Sequence, residues 1–420
     1  MKTWKKFFAT GLLATAVVGL AACAGGGSKS GSSNDTLTIG YWKGSDTENA
    51  ALDTLIKKFE EDNGVKVESK VYTDITTQLP TDLAGGTAPD VFYIDSSFYP
   101  YLQGEGVLND ISDVVNADDY YSTLATAFST DGKLYAAPKD VSTLALYANT
   151  AIFEKAGIAL TDVPTSYEDF IKWAPSAQEK IDAAYGKGQV YLMNLNADLA
   201  RNWPYLIADD QEPIQKDGSI NTSNPTIVKN LMTAIDLFNT GAVATPQQVG
   251  AGDEGAGFAT GKFALALTGN WNYQVFKTQY KDLKFEILPN MTYKGKKVTM
   301  QFTVGWGQYK NTKVKDLADK WIQFVGGKDG MASWTEAVGT LATRPDVAEN
   351  SEFLSANPGL QVHQDAIEYA VAWQDGTNLS TLVGSYGNFI SEAFKKGATQ
   401  ADLEKALKQI DEDANSKLNK

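Results

Sequence analysis

The sequence predicts an α/β protein, and the strongest evidence is the rhythm of its first hundred residues after the N-terminal leader. Five segments there alternate between strand and helix patterns: 37–42, 49–62, 65–72, 79–83 and 91–94. In the first of the two helices, Leu52, Leu55, Ile56 and Phe59 share one face. A β-α-β-α-β order of this kind predicts a parallel sheet with helices on both faces.

The alternation continues through the rest of the chain, which is the second observation. Further strand patterns lie at 134–137, 144–147, 190–193, 263–267, 285–288 and 299–304, and helical patterns at 226–238, 317–325 and 401–410. The third observation is that no Pro/Ser-rich linker divides a chain of 420 residues. A body of this length without a linker indicates lobes that are built from interleaved chain segments.

The composition excludes several classes of protein. Hydrophobic residues make up 43% and charged residues 21%, which is ordinary for a globular protein. The chain has one cysteine, so no internal disulfide can form, and one histidine, so a multi-histidine metal site is excluded. A formal net charge of −14 argues against nucleic acid as a partner. We expect no metal, no cofactor and no catalytic residues.

The first residues are typical of a secretion signal that ends in a lipid attachment site. Lys2, Lys5 and Lys6 precede an apolar run over residues 7–22, and the run ends in Leu20-Ala-Ala-Cys23. This tetrapeptide resembles a bacterial lipobox, in which the cysteine is acylated. Residues 1–22 are therefore interpreted as a lipoprotein signal peptide, and residues 23–35 as the lipidated Cys23 with a flexible Gly/Ser tether. This organisation predicts an extracytoplasmic protein anchored to the cell membrane.

A series of short motifs, in order along the body, resembles the extracellular solute-binding proteins of the maltose-binding type. The motifs are Leu37-Thr-Ile-Gly-Tyr-Trp42, Phe59-Glu-Glu-Asp-Asn-Gly-Val-Lys-Val67, Ala88-Pro-Asp-Val91, Gly106-Val-Leu-Asn-Asp110, Asp131-Gly-Lys-Leu-Tyr-Ala-Ala-Pro138, Tyr147-Ala-Asn-Thr150, Phe153-Glu-Lys-Ala-Gly157, Phe258-Ala-Thr-Gly-Lys262 and Gly269-Asn-Trp271. Each motif alone is weak, whereas their order and spacing behind a lipobox are specific.

The resemblance implies a two-lobed periplasmic-binding-protein fold of type II, with a ligand cleft between lobes joined by a hinge of several strands. By this analogy lobe 1 comprises residues 36–141 and 305–345, and lobe 2 comprises residues 145–303 and 347–420. It also implies a monomer that captures a sugar, an oligosaccharide in our interpretation, and passes it to the permease subunits of an ABC importer.

Candidate ligand-binding residues are aromatic rings, which stack on the C–H face of a sugar, and polar groups, which satisfy its hydroxyls. They are Trp42, Asp46, Asp95, Asp140, Trp203, Trp271, Trp306, Arg344, Trp373 and Tyr386. Trp271, in Gly-Asn-Trp, matches the stacking tryptophan of the family. Asp95 has an alternative role as a cap for the following turn, and Arg344 as a partner in an ion pair across the hinge.

Other residues of these types are interpreted as structural. Trp173, Trp321 and Trp334 lie within helical patterns and are expected in the core, and His363 is expected on a surface helix. Rival functions remain open at this point. They are the same fold binding an acidic sugar, a polyamine or a peptide, an extracytoplasmic glycosidase, and an adhesin.

Overall fold

The computed structural model describes residues 36–418, so the predicted signal peptide, Cys23 and the tether lie outside the described residues. The strands are β1 Thr36–Trp42, β2 Lys66–Tyr72, β3 Val91–Asp95, β4 Ser129–Thr130, β5 Lys133–Leu134, β6 Ala136–Asn149, β7 Tyr191–Asn194, β8 Val243–Ala244, β9 Phe263–Gly269, β10 Phe285–Leu288, β11 Met300–Gln308 and β12 Val371–Ala372. Within these residues, no helix has the length and apolar character needed to cross a membrane.

Helices surround the strands along the whole described chain. They are α1 Asp46–Asn63, α2 Ile75–Gly85, α3 Tyr99–Gly104, α4 Ser122–Ala127, α5 Thr150–Ala156, α6 Tyr167–Tyr185, α7 Leu199–Leu206, α8 Pro225–Thr240, α9 Glu254–Ala259, α10 Trp271–Gln279, α11 Lys315–Gly326, α12 Lys328–Val338, α13 Pro345–Ala348, α14 Glu352–Ala356, α15 Gln361–Ala366, α16 Leu379–Phe389 and α17 Gln400–Leu418.

The first helix shows how local sequence sets an element. The Ser45 side chain accepts a hydrogen bond from the Glu48 amide, and the Glu48 carboxylate accepts one from the Ser45 amide. This capping box starts α1 several residues before the predicted position, because the apolar pattern begins only after the cap. Gly64, at φ 65°, ends the helix in the left-handed conformation. Leu52, Leu55 and Phe59 are buried, as their spacing predicted.

The main sheet has the order β2-β1-β3-β11-β6-β9-β7-β8, with β10 added to β6 and β12 added to β11. Strand β1 is parallel to both β2 and β3, which confirms the parallel arrangement predicted for the first three strands. Strands β7, β8 and β9 are also parallel to one another where they pair. Between these two groups, β11 runs antiparallel to β3 and β6, and β6 runs antiparallel to β9.

Two long strands join the halves of the sheet. Residues 136–143 of β6 pair with β11, whereas residues 144–148 pair with β9 in the other half. Two separate strands at 134–137 and 144–147 were predicted, and this was wrong. The polar residues Lys139, Asp140, Ser142 and Thr143 interrupt the apolar pattern, yet they belong to one strand, because the pairing with β11 resumes at Asp140 after a bulge at Lys139.

The apolar side chains form two cores, one beneath each half of the sheet. The first contains Ile39, Phe92 and Trp321, and the second contains Leu192, Leu265 and Leu407. Each core collects residues that are distant in sequence, so the halves are interleaved. The precise lobe boundaries, 36–141 with 305–345 and 145–303 with 347–420, remain a prediction.

His363 is not on the surface, contrary to the expectation from sequence. Its side chain is fully buried beneath β6, where Tyr147 Oη lies 3.0 Å from Nε2 and Thr143 Oγ1 lies 3.1 Å from Nδ1. The Thr143 hydroxyl donates to the His363 carbonyl, so its oxygen accepts from Nδ1–H and Nε2 accepts from Tyr147. Burial lowers the pKa of His363 to about 3, and the ring is neutral.

This histidine makes the stability of the protein sensitive to acid. Its folded pKa lies below the ordinary value of 6.5, so the unfolded chain binds a proton that the folded chain refuses. Stability therefore falls as the pH drops from 6.5 towards 3, by about 2.5 kcal/mol between pH 7 and pH 4.5. Urea unfolding at both pH values, compared with His363→Gln, measures this contribution.

The comparison with His363→Gln also removes the contribution of acidic groups to the pH dependence of stability. Burial and the nearby Glu212 raise the pKa of Asp375 to about 6, which acts in the opposite direction as the pH falls. That contribution is common to both proteins and cancels in their difference. An identical pH dependence in His363→Gln would contradict the assignment to His363.

Candidate ligand-binding cleft

A cavity of about 610 Å³, counting its open mouth, lies where the two halves of the sheet meet. Six parts of the chain supply its walls: the end of β1 with the start of α1, the middle of β3, the middle of β6, the start of α10, the middle of β11, and α12 with the loop that follows it. The lining residues include Trp42, Gly44, Glu48, Lys139, Asp140, Ser142, Trp271, Trp334 and Thr340. The cavity therefore combines three indoles with charged and hydroxyl groups.

Trp271 is the most exposed aromatic residue of this cavity, with 40% of its surface accessible. It begins α10, directly after the end of β9 at Gly269 and Asn270. A methyl group at Gly269 would overlap the six-membered ring of Trp271, so the indole packs directly on the Gly269 backbone. Phe302 meets the ring edge-on at 5.8 Å, and the Arg201 guanidinium carbon lies 5.9 Å from its centroid.

Trp42 lies on the opposite wall, at the end of β1. It is half-buried and packs edge-on against Tyr93 at 5.1 Å. The same residue lines a second, more open groove of about 920 Å³, together with Lys43, Val71 and Asp95. Trp42 therefore separates two adjoining compartments.

Lys139 and Asp140 form an ion pair inside the cavity wall. Lys139 is 7% exposed, and its ammonium lies 4.0 Å above the Trp334 ring and 4.9 Å from the Tyr93 ring. Only one carboxylate oxygen of Asp140, Oδ2, is engaged by the lysine; Oδ1 has no hydrogen-bond partner among the described residues. Oδ1 of Asp140 is thus a hydrogen-bond acceptor of fixed orientation, and Lys139 neutralises most of the charge of the carboxylate.

Asp95 lines the second groove, and one of its oxygens serves the following turn. Its Oδ1 accepts hydrogen bonds from the Ser97 amide at 2.9 Å and the Ser97 hydroxyl at 2.5 Å. Burial raises the pKa of this carboxyl group. The capping role considered from sequence is therefore present, although α3 itself begins later, at Tyr99.

Three predicted ligand residues are core residues in this conformation, which corrects the expectation. Trp203, Trp306 and Tyr386 are 2%, 1% and 0% exposed, so none offers a free ring face. Trp306 is held between Tyr93 at 4.3 Å and Trp321 at 5.4 Å. The glycines on either side of Trp306 allow close packing within the sheet: a Cβ at Gly305 would meet Ala136.

The three remaining candidates, Asp46, Arg344 and Trp373, line neither of the two compartments. Asp46 is exposed at the start of α1 and lines neither compartment. Arg344 pairs with Asp119 at 3.0 Å and with Asp346 at 3.0 Å. It is thus in an ion pair, but Asp119 belongs to the same predicted lobe, so the pair across the hinge stays a prediction. Trp373 is half-buried and packs edge-on against Trp203 at 5.7 Å, and its carbonyl accepts a hydrogen bond from the Ser96 hydroxyl.

Sequence reasoning missed residues that only the fold brings to the cavity. Trp334 was expected in the core and is indeed 4% exposed, yet it also lines the cavity. Its Nε1 and the Thr340 hydroxyl are buried without a hydrogen-bond partner in the part of the chain that the structure describes. Glu48 was also overlooked, although it lines the cavity.

Comparisons with known proteins place the chain in a family. Residues 54–362, most of the chain, match the family described as bacterial extracellular solute-binding protein, so the chain belongs to that family. It is 25% identical over 380 residues to the multiple sugar-binding protein of Streptococcus mutans, covering 83% of this chain and 85% of the relative. It is 27% identical to the diacetylchitobiose binding protein DasA of Streptomyces coelicolor, covering 99% of both chains.

A solved structure supports the fold class. The ABC substrate-binding protein Lmo0181 from Listeria monocytogenes, solved in complex with cycloalternan, superimposes with a TM-score of 0.76 at 19% identity. The match covers 91% of this chain and 99% of the other. The two-lobed fold expected from the sequence motifs is confirmed.

The contact between Gly269 and the indole predicts the behaviour of one small substitution. Gly269→Ala places a methyl group where the Trp271 ring lies, so we expect the ring to move. Labelling with 5-fluorotryptophan allows ¹⁹F NMR to follow the ring, and Trp271→Phe assigns its resonance. We expect that resonance to shift by more than its linewidth.

Gly384→Ala is the matched control, because a Cβ there meets no atom within 4 Å. This control should leave the Trp271 resonance in place. An unchanged resonance in Gly269→Ala would show that the indole does not depend on the glycine.

Proposed function

We propose that this protein binds a neutral oligosaccharide in the cleft and delivers it, unchanged, to the permease subunits of an ABC importer. The observation that carries the proposal is that Trp42 and Trp271, from opposite walls, line one cavity with the oriented carboxylate of Asp140. Indole faces stack on the C–H face of a pyranose, and a carboxylate accepts from its hydroxyls. The names of the two sugar-binding relatives agree with this chemistry.

The charges around the cleft favour a neutral ligand. Lys139 is neutralised by Asp140, and Arg201, near Trp271, is paired with Glu254 at 2.5 Å. Lys43 shares the second groove with Asp95. An acidic sugar would need a cation that is free to pair with it, and a polyamine would need several unneutralised acids. Among the described residues that line the 610 Å³ cavity, Lys139 is paired and Glu48 is the one acid outside an ion pair, so neither need is met.

The adjoining compartments favour a ligand longer than one ring. Trp42 borders both the 610 Å³ cavity and the 920 Å³ groove, so a chain of sugar units can continue from one to the other past its indole. A ligand that contacts both walls stabilises the closed arrangement, because only that arrangement offers both sets of contacts. A monomer is sufficient for this mechanism.

Isothermal titration calorimetry tests the function directly. The ligands are maltotetraose, diacetylchitobiose, raffinose, glucose, glucuronate and spermidine, and we expect micromolar binding, about −8 kcal/mol, of at least one neutral oligosaccharide. Trp271→Ala should weaken that binding by about tenfold or more, since a stacked ring contributes on the order of 1–2 kcal/mol.

Trp173→Ala is the control for the loss of an indole. Trp173 is half-buried on α6 and lines neither compartment, so its loss should leave the affinity within about twofold. Binding of only glucose, glucuronate or spermidine would overturn the proposed ligand class. Release of monosaccharides from an oligosaccharide incubated with the protein would show catalysis and overturn the binding-only function.

We further propose that the protein is held at the outer face of the cell membrane by a lipid on Cys23. The lipobox Leu20-Ala-Ala-Cys23 and the Gly/Ser-rich tether support this anchor. Cys23→Ala should therefore release the protein from the membrane fraction into the medium, and mass spectrometry should detect acyl chains on the wild-type N-terminus alone. Equal membrane retention of both proteins would argue against the lipid anchor.

A further inference from the structure

A buried carboxylate lies behind the cleft, near the exposed indole of Trp271. Glu254 is 4% exposed, and its oxygens accept hydrogen bonds from Arg201 Nη2 at 2.5 Å, Asn196 Nδ2 at 3.0 Å and Thr268 Oγ1 at 3.0 Å. Burial opposes the charge of Glu254, but Arg201 and these donors lower its pKa overall. A buried ion pair is weak evidence for stability by itself, so its position calls for another explanation.

The residues on both sides of Trp271 are hydrogen-bonded, and on one side the bond belongs to this cluster. Thr268 Oγ1, which donates to Glu254, accepts a hydrogen bond from Asn272 Nδ2 at 2.8 Å. A Cβ at Gly255 would overlap the Asn272 amide, so the start of α9 packs against the first turn of α10. On the other side, Asn270 Oδ1 accepts a hydrogen bond from the Thr143 amide of β6 at 3.1 Å. The residues before and after Trp271 are therefore both tied to the sheet.

Arg201 links the cluster to the ring itself. Its guanidinium carbon lies 5.9 Å from the Trp271 centroid, and it is held by Glu254 and by Asp198 at 3.4 Å. Without Glu254, the arginine would be a buried cation with one distant partner, free to turn away from the indole or towards the cleft. The carboxylate thus fixes both the place and the net charge of the group beside the ring.

We propose that Glu254 is a positioning residue for ligand binding: it holds Trp271 in place through Arg201 on one side and through Thr268 and Asn272 on the other. The Trp271 ring rests on Gly269 and meets Phe302, but 40% of its surface is exposed, so these contacts cover only part of the ring. A ring that is already oriented loses less freedom when a ligand stacks on it, which raises affinity without adding a contact. The affinity part of this inference rests on the proposed function.

A double-mutant cycle tests whether Glu254 acts through Trp271. Glu254→Gln is nearly isosteric, and we expect it to weaken binding of the best neutral oligosaccharide in the calorimetric panel by about tenfold in the wild-type background. In the Trp271→Ala background the same substitution should change the affinity by less than about twofold, because the group it positions is absent. Equal losses in both backgrounds would overturn the inference.

A second variant leaves the ion pair intact in case Glu254→Gln does not fold. Thr268→Val removes only the hydroxyl that joins Asn272 to Glu254, and we expect a smaller loss of affinity, about threefold, again confined to proteins that retain Trp271. The matched control is Asp119→Asn. This substitution also removes a carboxylate partner of an arginine, but the arginine is Arg344, the only other arginine of the chain, and within the described residues Asp119 has no contact with the Glu254 cluster. It should leave the affinity unchanged.

The position of the ring is also measured without any ligand. In protein labelled with 5-fluorotryptophan, Glu254→Gln and Thr268→Val should shift or broaden the ¹⁹F resonance of Trp271, and Asp119→Asn should not. If the wild-type protein binds no sugar of the panel, the proposed function fails, and this spectrum still decides whether Glu254 positions the ring. An unchanged Trp271 resonance in both variants overturns the positioning role, whatever the protein binds.

Discussion

The antiparallel pairing of β6 with β11, which continues on both sides of a bulge at Lys139, is the constraint on which the rest of the structure depends. Strand β6 passes from one half of the sheet to the other: its pairing with β11 brings Asp140 opposite Val304, and its pairing with β9 brings Leu144 opposite Gly269. The first pair places the carboxylate in the wall of the cavity, and the second places the turn that leads to Trp271. Backbone hydrogen bonds, which must be satisfied when buried, therefore determine where the two walls of the cleft meet.

The polar interior of the protein is arranged around this crossing. His363 is neutral because it is buried, and its ring is hydrogen-bonded to Thr143 and Tyr147. The Thr143 amide also donates a hydrogen bond to Asn270, beside Trp271. Farther out, Lys139 is paired with Asp140, and Arg201 with Glu254. Charges taken from water are costly unless paired, so a cleft built on paired groups presents hydrogen-bonding capacity with little net charge. This is the electrostatic character that suits a polyhydroxyl ligand.

Secondary structure was predicted correctly where a single apolar periodicity runs through the whole element. It was predicted wrongly where one strand passes through both an apolar and a polar environment. Helix α1 was predicted because its buried residues follow a single apolar stripe. Strand β6 was divided in two because its central residues are polar. All four aromatic residues Trp203, Trp271, Trp306 and Tyr386 were expected to contact the ligand, and of these Trp271 is exposed whereas the other three are buried. Residue type identifies a ring suitable for stacking, but it does not reveal which face another side chain covers.

The sequence by itself determined the α/β class, the family, and the supply of aromatic and acidic residues from which a cleft can be built. These properties depend on local periodicity, motif order and composition, which are present in the chain before it folds. Only the tertiary structure decided that Trp42, Asp140, Trp271 and Trp334 share one cavity, and that Glu254 lies behind it. Those contacts join segments that are far apart in sequence, and their distances are set by strand pairing and core packing rather than by any local pattern.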